Sequence, residues 1–219
     1  MIMSLISVVV LLGTVFGLTY ARYRERPEDD KRTYGRWLGV KTRALFAAGT
    51  RKTSRKVLAE WLEAHYPAWT KWIFFALLAG LLTQALTGIF FEIFIARGMF
   101  GLPLIGHMIG GGLFAASLAA LLLWRGRAYR LDEDEPGLFD ARLRPLPRAA
   151  AGAFLIKIVF WSFAGFGFVQ VATAVGSMLP VFTFPTQETL LTIHRLSALG
   201  LIVTAALFAD RVFVPRRRP

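Results

Sequence analysis

The sequence predicts an all-α polytopic membrane protein with five transmembrane helices, and three observations carry that prediction. The 219-residue chain is 55% hydrophobic with 19 phenylalanines, too apolar for a soluble domain. Its apolar residues gather into five blocks, about 2–20, 70–95, 103–124, 152–179 and 188–209. Each reaches or approaches the roughly 20 residues needed to cross a bilayer as a helix. The third observation is the placement of charge. The formal net charge is +12, from 26 basic and 14 acidic residues. Basic residues crowd into 22–56, 125–148 and 211–218, while the connections 96–102 and 180–187 carry only Arg97. Alternate basic loops are the positive-inside pattern, and they argue against a nucleic-acid interface. The expected setting is an inner (cytoplasmic) membrane, multi-pass among its lipids, with the N-terminus outside and the C-terminus inside.

The first block, within residues 1–20, is an N-terminal transmembrane helix. No basic residue precedes its apolar core, and "ARYRERPEDDKR" follows it at once; signal peptides show the opposite charge order. Residues 21–68 form a cytoplasmic segment in which Trp37, Leu38, Leu45, Phe46, Val57, Leu58, Trp61 and Leu62 recur at loosely helical intervals. Such an amphipathic segment suits the inner membrane surface or a docking face for a partner subunit. Residues 69–210 hold the remaining four crossings, and 211–219 form a basic cytoplasmic tail. The loop 125–150, with "DEDEP" and a turn at Pro136–Gly137, reads as solvated.

There are no cysteines, so disulfides, thiolate-bound iron–sulfur clusters and thiolate zinc sites are excluded within the chain. A metal would have to be held by histidine, carboxylate or methionine. That directs attention to "GLPLIGHMIGGG" at 101–112 and "ETLLTIHRLSALG" at 188–200. His107 lies four residues past Pro103, and His194 lies about seven residues into the fifth crossing. Both crossings start at the outer face and run inward. At about 1.5 Å of rise per residue, both imidazoles sit roughly 6–10 Å below the outer boundary.

Two readings follow. Each histidine could hydrogen-bond to a neighbouring helix, as polar residues in bundles do. Alternatively, two neutral imidazoles at one depth can be the axial ligands of a haem iron. Gly106, Gly110, Gly111 and Gly112 would make room for a flat macrocycle, Gly110 and Gly111 sharing the His107 face. Glycine runs also serve tight helix packing.

From about 69 to 210 the chain resembles the cytochrome b (gamma) subunit of formate dehydrogenases and the related b-type subunits of nickel–iron hydrogenases. The matching text is "KWIFFALLAGLLTQALTGIF", "HMIGGGLF", "KIVFWSFAGFGFVQVATAV" and "LLTIHRLSALGLI", one stretch for each helix of that family's four-helix bundle. The resemblance implies haem b ligated by His107 and His194 as iron ligands, quinone or quinol as substrate, and assembly with the subunits of a larger respiratory redox complex. The chain departs from the family where a second, inner haem would be bound. Lys71–Trp72 stands at the family's His-Trp pair, and Phe208 lies about where its later histidine would. His65, just before Pro67, is the one residue left for a second haem.

Other polar residues fall in the apolar blocks. Thr83, Gln84, Thr87, Gln170 and Thr173 suit either interhelical bonding or a quinone carbonyl. Glu92 and Arg97 are placed to pair, Glu188 to meet the positive end of the fifth helix, and Arg195 to meet a haem propionate or to snorkel outward. The function expected is electron transfer between a partner subunit, haem b and the quinone pool, as a subunit rather than a stand-alone enzyme. The alternative is a haem-free membrane anchor or assembly subunit. A transporter would show broken helices and paired midplane charges, which this sequence lacks.

Overall fold

A computed structural model describes residues 2–24, 34–36, 38, 68–95, 99–131 and 148–213. Most of the 21–68 segment, His65, Arg97, the acidic stretch 132–136 and the tail beyond 213 lie outside them. The protein is an all-α polytopic membrane protein, with no strand among the described residues. Its five long helices are α1 (Ile2–Arg24), α2 (Ala68–Phe90), α3 (Gly101–Arg125), α4 (Arg148–Met178) and α5 (Phe184–Phe213). Each contains a stretch long and apolar enough to cross a membrane.

The helix ends follow local chemistry. A π-helical turn, Phe91–Ile95, widens the end of α2, and such turns recur at functional sites. Before α3, Phe100 is extended and Gly101 sits at φ +65, a left-handed conformation that costs glycine nothing. Pro103 then falls in the first turn, where its missing N–H is harmless. Pro185 does the same for α5, so that helix begins four residues before the expected 188 and Glu188 falls in its second turn.

Helices α2 and α3 pack along one another as one hairpin, and α4 and α5 as a second; α3 against α4 is the chief seam between them, while α1 lies against α5. The α2–α3 contact is close enough for backbones to touch. A Cβ on Gly80 would stand 2.7 Å from the Phe114 nitrogen and 2.9 Å from the Gly110 oxygen, as in small-residue interfaces of membrane helices.

The seam is filled by Leu77, Phe114, Leu118, Leu121, Phe160, Phe163 and Leu201. This core lies toward the end that carries the basic segments, here called the basic end. There Tyr129 stacks on Phe160 with centroids 4.2 Å apart, and Trp161 Nε1–H donates to the Tyr129 backbone carbonyl at 2.8 Å. Phe208 closes the group, 6.1 Å from the Tyr129 ring and 6.3 Å from Phe160. Side chains on the outside of the bundle, such as Leu102 and Leu123, are almost wholly exposed. In a bilayer they meet lipid.

At the basic end α1 is bolted to α5. Arg22 Nε and Nη2 donate to Asp210 Oδ1 at 2.9 and 2.7 Å, and Nη2 also reaches the Asp210 carbonyl oxygen at 2.9 Å. Both side chains are mostly buried. Hydrogen bonds to charged groups contribute about 1.5–3 kcal/mol. A double-mutant cycle with Arg22→Ala and Asp210→Ala, read by unfolding in detergent, is expected to give a coupling in that range. Additive losses would show the pair to be idle.

Candidate functional site

At the opposite, short-loop end the two hairpins diverge around a cavity of about 660 Å³. All five helices contribute to its wall, α1 through Ser7. His107, from α3, and His194, from α5, both line it. Their ring centroids are 6.3 Å apart with the planes inclined at 64°. The depth argument therefore brings together two side chains from different hairpins.

Each imidazole is held by its Nδ1. Thr87 Oγ1 donates to the Thr83 carbonyl at 2.6 Å, so its oxygen accepts from His107 Nδ1–H at 2.7 Å. His194 Nδ1–H donates to the Gln170 carbonyl oxygen at 3.1 Å, with Thr173 Oγ1 at 3.4 Å beside it. The Gln170 carbonyl requires the Nδ1–H tautomer of His194, and the Thr87 pairing suits the same tautomer of His107, so in each ring Nε2 carries the lone pair. Metal-binding histidines are oriented in the same way, through the nitrogen that does not bind the metal. The Nε2 of His194 accepts from Gln170 Nε2–H at 2.8 Å. Ser197 Oγ–H, donating to Gln170 Oε1 at 2.7 Å, sets which way that amide faces.

The glycines divide into two roles. Gly111 and Gly112 line the cavity, and Gly111 lies so close beneath the Gln84 amide that a Cβ there would collide with Gln84 Nε2. Gly110 instead faces α2, where a Cβ would come within 2.8 Å of Thr83 Cγ2; it serves helix packing. Gly106 faces open space. Gly88, at the end of the stretch "KWIFFALLAGLLTQALTGIF", lies over His107, with a Cβ position 3.6 Å from Cε1. Ser197 and Ser7 were missed. Ser197 lies three residues past His194 on the same helical face, which is the signal that could have found it.

Arg195 and Glu92 stand at the cavity wall and form an ion pair at 3.5 Å. Glu92 thus meets Arg195 from another helix. Trp72 is largely exposed, and Phe208 lies in the aromatic group of the basic end. Among the described residues, no cluster of three or more His, Asp or Glu is placed to hold a metal ion.

These features define an all-α membrane protein whose two helical hairpins each present one histidine to a shared cavity. No family model, curated protein or solved structure matches the chain.

Proposed function

We propose that this protein is a membrane-anchoring cytochrome b subunit, holding one haem b between His107 and His194 and exchanging electrons with the quinone pool and a partner redox subunit. The single observation that carries the reading is the separation of the two rings. Two imidazoles holding one metal through bonds of about 2.0–2.1 Å, with five-membered rings of about 1.1 Å radius built from bonds near 1.33 Å, would stand with centroids up to roughly 6.4 Å apart. The rings stand 6.3 Å apart. The donor set agrees with this. Two imidazoles with no third His, Asp or Glu beside them among the described residues suit a metal whose other positions are filled by a macrocycle.

The residues would divide the work as follows. His107 and His194 would hold the haem through their Nε2 atoms, with Thr87 and the Gln170 carbonyl orienting the rings through Nδ1. Gln170 would have to turn its amide away from His194 Nε2, against the orientation that Ser197 sets, for the site to load. Gly88, Gly111 and Gly112 give flat space, and Arg195 offers a cation for a carboxylate at the cavity wall. The haem, when bound, supplies a one-electron couple; the protein supplies position and a dry, low-dielectric setting.

A second reading, a haem-free anchor, is favoured by one feature: the Gln170–His194 bond gives that ring a complete set of protein partners. An oxidised-minus-reduced visible spectrum of the purified chain separates the two. The expected result is a low-spin b-type α-band and, by pyridine haemochrome, about one haem per chain. Absence of the band would leave the anchor reading.

The basic end is assigned to the cytoplasmic side of an inner membrane by the positive-inside rule, which places the haem near the outer face. Cysteines introduced at 22–68 and 125–150 are expected to resist impermeant thiol reagents in intact cells. Labelling from outside would invert the topology.

A further inference from the structure

Outside the histidine cavity, positive charge gathers at one defined place of the basic end. Past α3 the chain makes a 3-10 turn, Gly126–Tyr129, that crosses onto α4. Tyr129 stacks on Phe160, and its carbonyl accepts from Trp161 Nε1–H. The Trp161 ring lies beside Gly126, 3.9 Å from the position of a Cβ there. Residues three apart eclipse in such a turn. Arg130 N–H donates to the Arg127 carbonyl at 3.3 Å, so Arg127 and Arg130, both exposed, stand on one side of a turn that packing holds in place. Two guanidinium groups so placed repel one another and favour an anion between them. Among the described residues the one acidic side chain at this end, Asp210, is bonded to Arg22. Arg125 is turned elsewhere, its guanidinium carbon 4.2 Å from the Trp124 ring centroid.

What lies beside the two arginines decides the class of anion. Trp161, Gly165 and Phe168 are all exposed and share one face of α4. They run from the basic end into the bilayer over about 10 Å. A Cβ on Gly165 would meet nothing within 4 Å, so the backbone there is the floor of a gap between two protruding rings. The bond from the Trp161 indole to Tyr129 keeps that ring from swinging across the gap. A free phosphate would use the arginines alone, whereas a phospholipid uses the arginines and the gap. Indole rings favour the headgroup level, and basic pockets beside membrane helices hold anionic headgroups. The geometry points to a seat for one anionic phospholipid, with its phosphodiester between Arg127 and Arg130 and one acyl chain passing over Trp161 into the gap at Gly165. A zwitterionic headgroup fits less well, since its own ammonium adds a third cation to the pair. The seat is independent of what the histidine cavity holds.

The test is native mass spectrometry of the purified full chain in a neutral detergent, titrated separately with dioleoyl phosphatidylglycerol and dioleoyl phosphatidylcholine. The wild type is expected to retain one phosphatidylglycerol, bound about thirtyfold more tightly than phosphatidylcholine, as two arginines at a membrane surface imply. In Arg127→Gln/Arg130→Gln that preference should vanish. Arg216→Gln/Arg217→Gln, which removes the same charge from the tail, should keep it. Gly165→Leu should weaken both lipids and leave the preference between them. Glycerophosphoglycerol in large excess, the same headgroup without its chains, should not displace the lipid. Equal binding of the two lipids would assign the arginines to the acidic stretch 132–136 or to an acidic segment of another protein, and would overturn the seat. A preference that survives the Arg127/Arg130 variant, or that is lost equally in the tail variant, would overturn it too. So would displacement by the free headgroup, or an unchanged affinity in Gly165→Leu. If a variant does not fold, the lipid comparison and the displacement on the wild type decide alone.

Discussion

Alanine at either His107 or His194 is expected to abolish the reduced α-band of the purified protein, not merely weaken it. Each imidazole comes from a different hairpin, and no third histidine lines the cavity. The cavity wall otherwise offers hydroxyls, amides, one carboxylate, one guanidinium and the thioethers of Met99, Met108 and Met178, none of which restores a bis-imidazole iron. The loss should extend to stability. A ligand bound only by the folded state stabilises it by about 4.1 kcal/mol at a thousand times its dissociation constant. The variants should therefore unfold in detergent at lower temperature than the loaded wild type, while matching wild-type chain prepared without haem. A His107→Ala or His194→Ala protein with an unchanged α-band would sink the assignment of that ligand.

The second large effect is expected at Gly80, far from any ligand chemistry. A methyl there would meet the Phe114 nitrogen at 2.7 Å, the Gly110 oxygen at 2.9 Å and the Phe114 Cα at 3.0 Å. All three are backbone atoms and cannot rotate aside, so α2 must move away from α3. Overpacking typically costs about 1–3 kcal/mol, and Gly80→Ala should lie at the upper end of that range. The displaced helix also carries Thr87 and Gly88, so haem content should fall with stability. Gly106→Ala is the control, because its Cβ would meet nothing within 4 Å. Removing a helical glycine there should stabilise by up to about 1 kcal/mol. Thermal unfolding of the two variants side by side checks the pair, and equal melting points would contradict it.

Much of this architecture is legible in the sequence because membrane helices announce themselves by length and hydropathy. Five apolar blocks became five helices. The block edges were less accurate than the count, since Pro103 and Pro185 sit inside first turns rather than at boundaries. The meeting of His107 and His194 was legible for a related reason. The start of an apolar block marks the bilayer, whereas the start of a helix need not, and depth measured from the blocks matched although α5 begins well before its block.

What sequence could not give was rotation about the helix axes. These helices are apolar on every side, so hydropathy does not say which face looks inward. That left Thr87, Gln170 and Thr173 as polar residues of undecided use, when in fact they bond the two imidazoles. For the same reason Gly110 looked like cavity space, sharing a face with His107, when it packs against Thr83. The Glu92–Arg195 pair was illegible because it joins the π-helical turn after α2 to α5, positions about a hundred residues apart in the chain.

The bond between Arg22 and Asp210 has a consequence for how the molecule is made. Its partners lie 188 residues apart, and a ribosome adding about 5–20 residues per second needs on the order of ten to forty seconds to travel between them. Throughout that interval the first helix has to stay in the bilayer on its own hydropathy, since its anchor has not been synthesised. Ser7 can close its side of the cavity only after the last helix has entered and α1 has been latched to it. The final step of bundle assembly therefore waits for α5. A chain halted before Asp210 would leave the first helix adrift, with the wall of the cavity open to lipid.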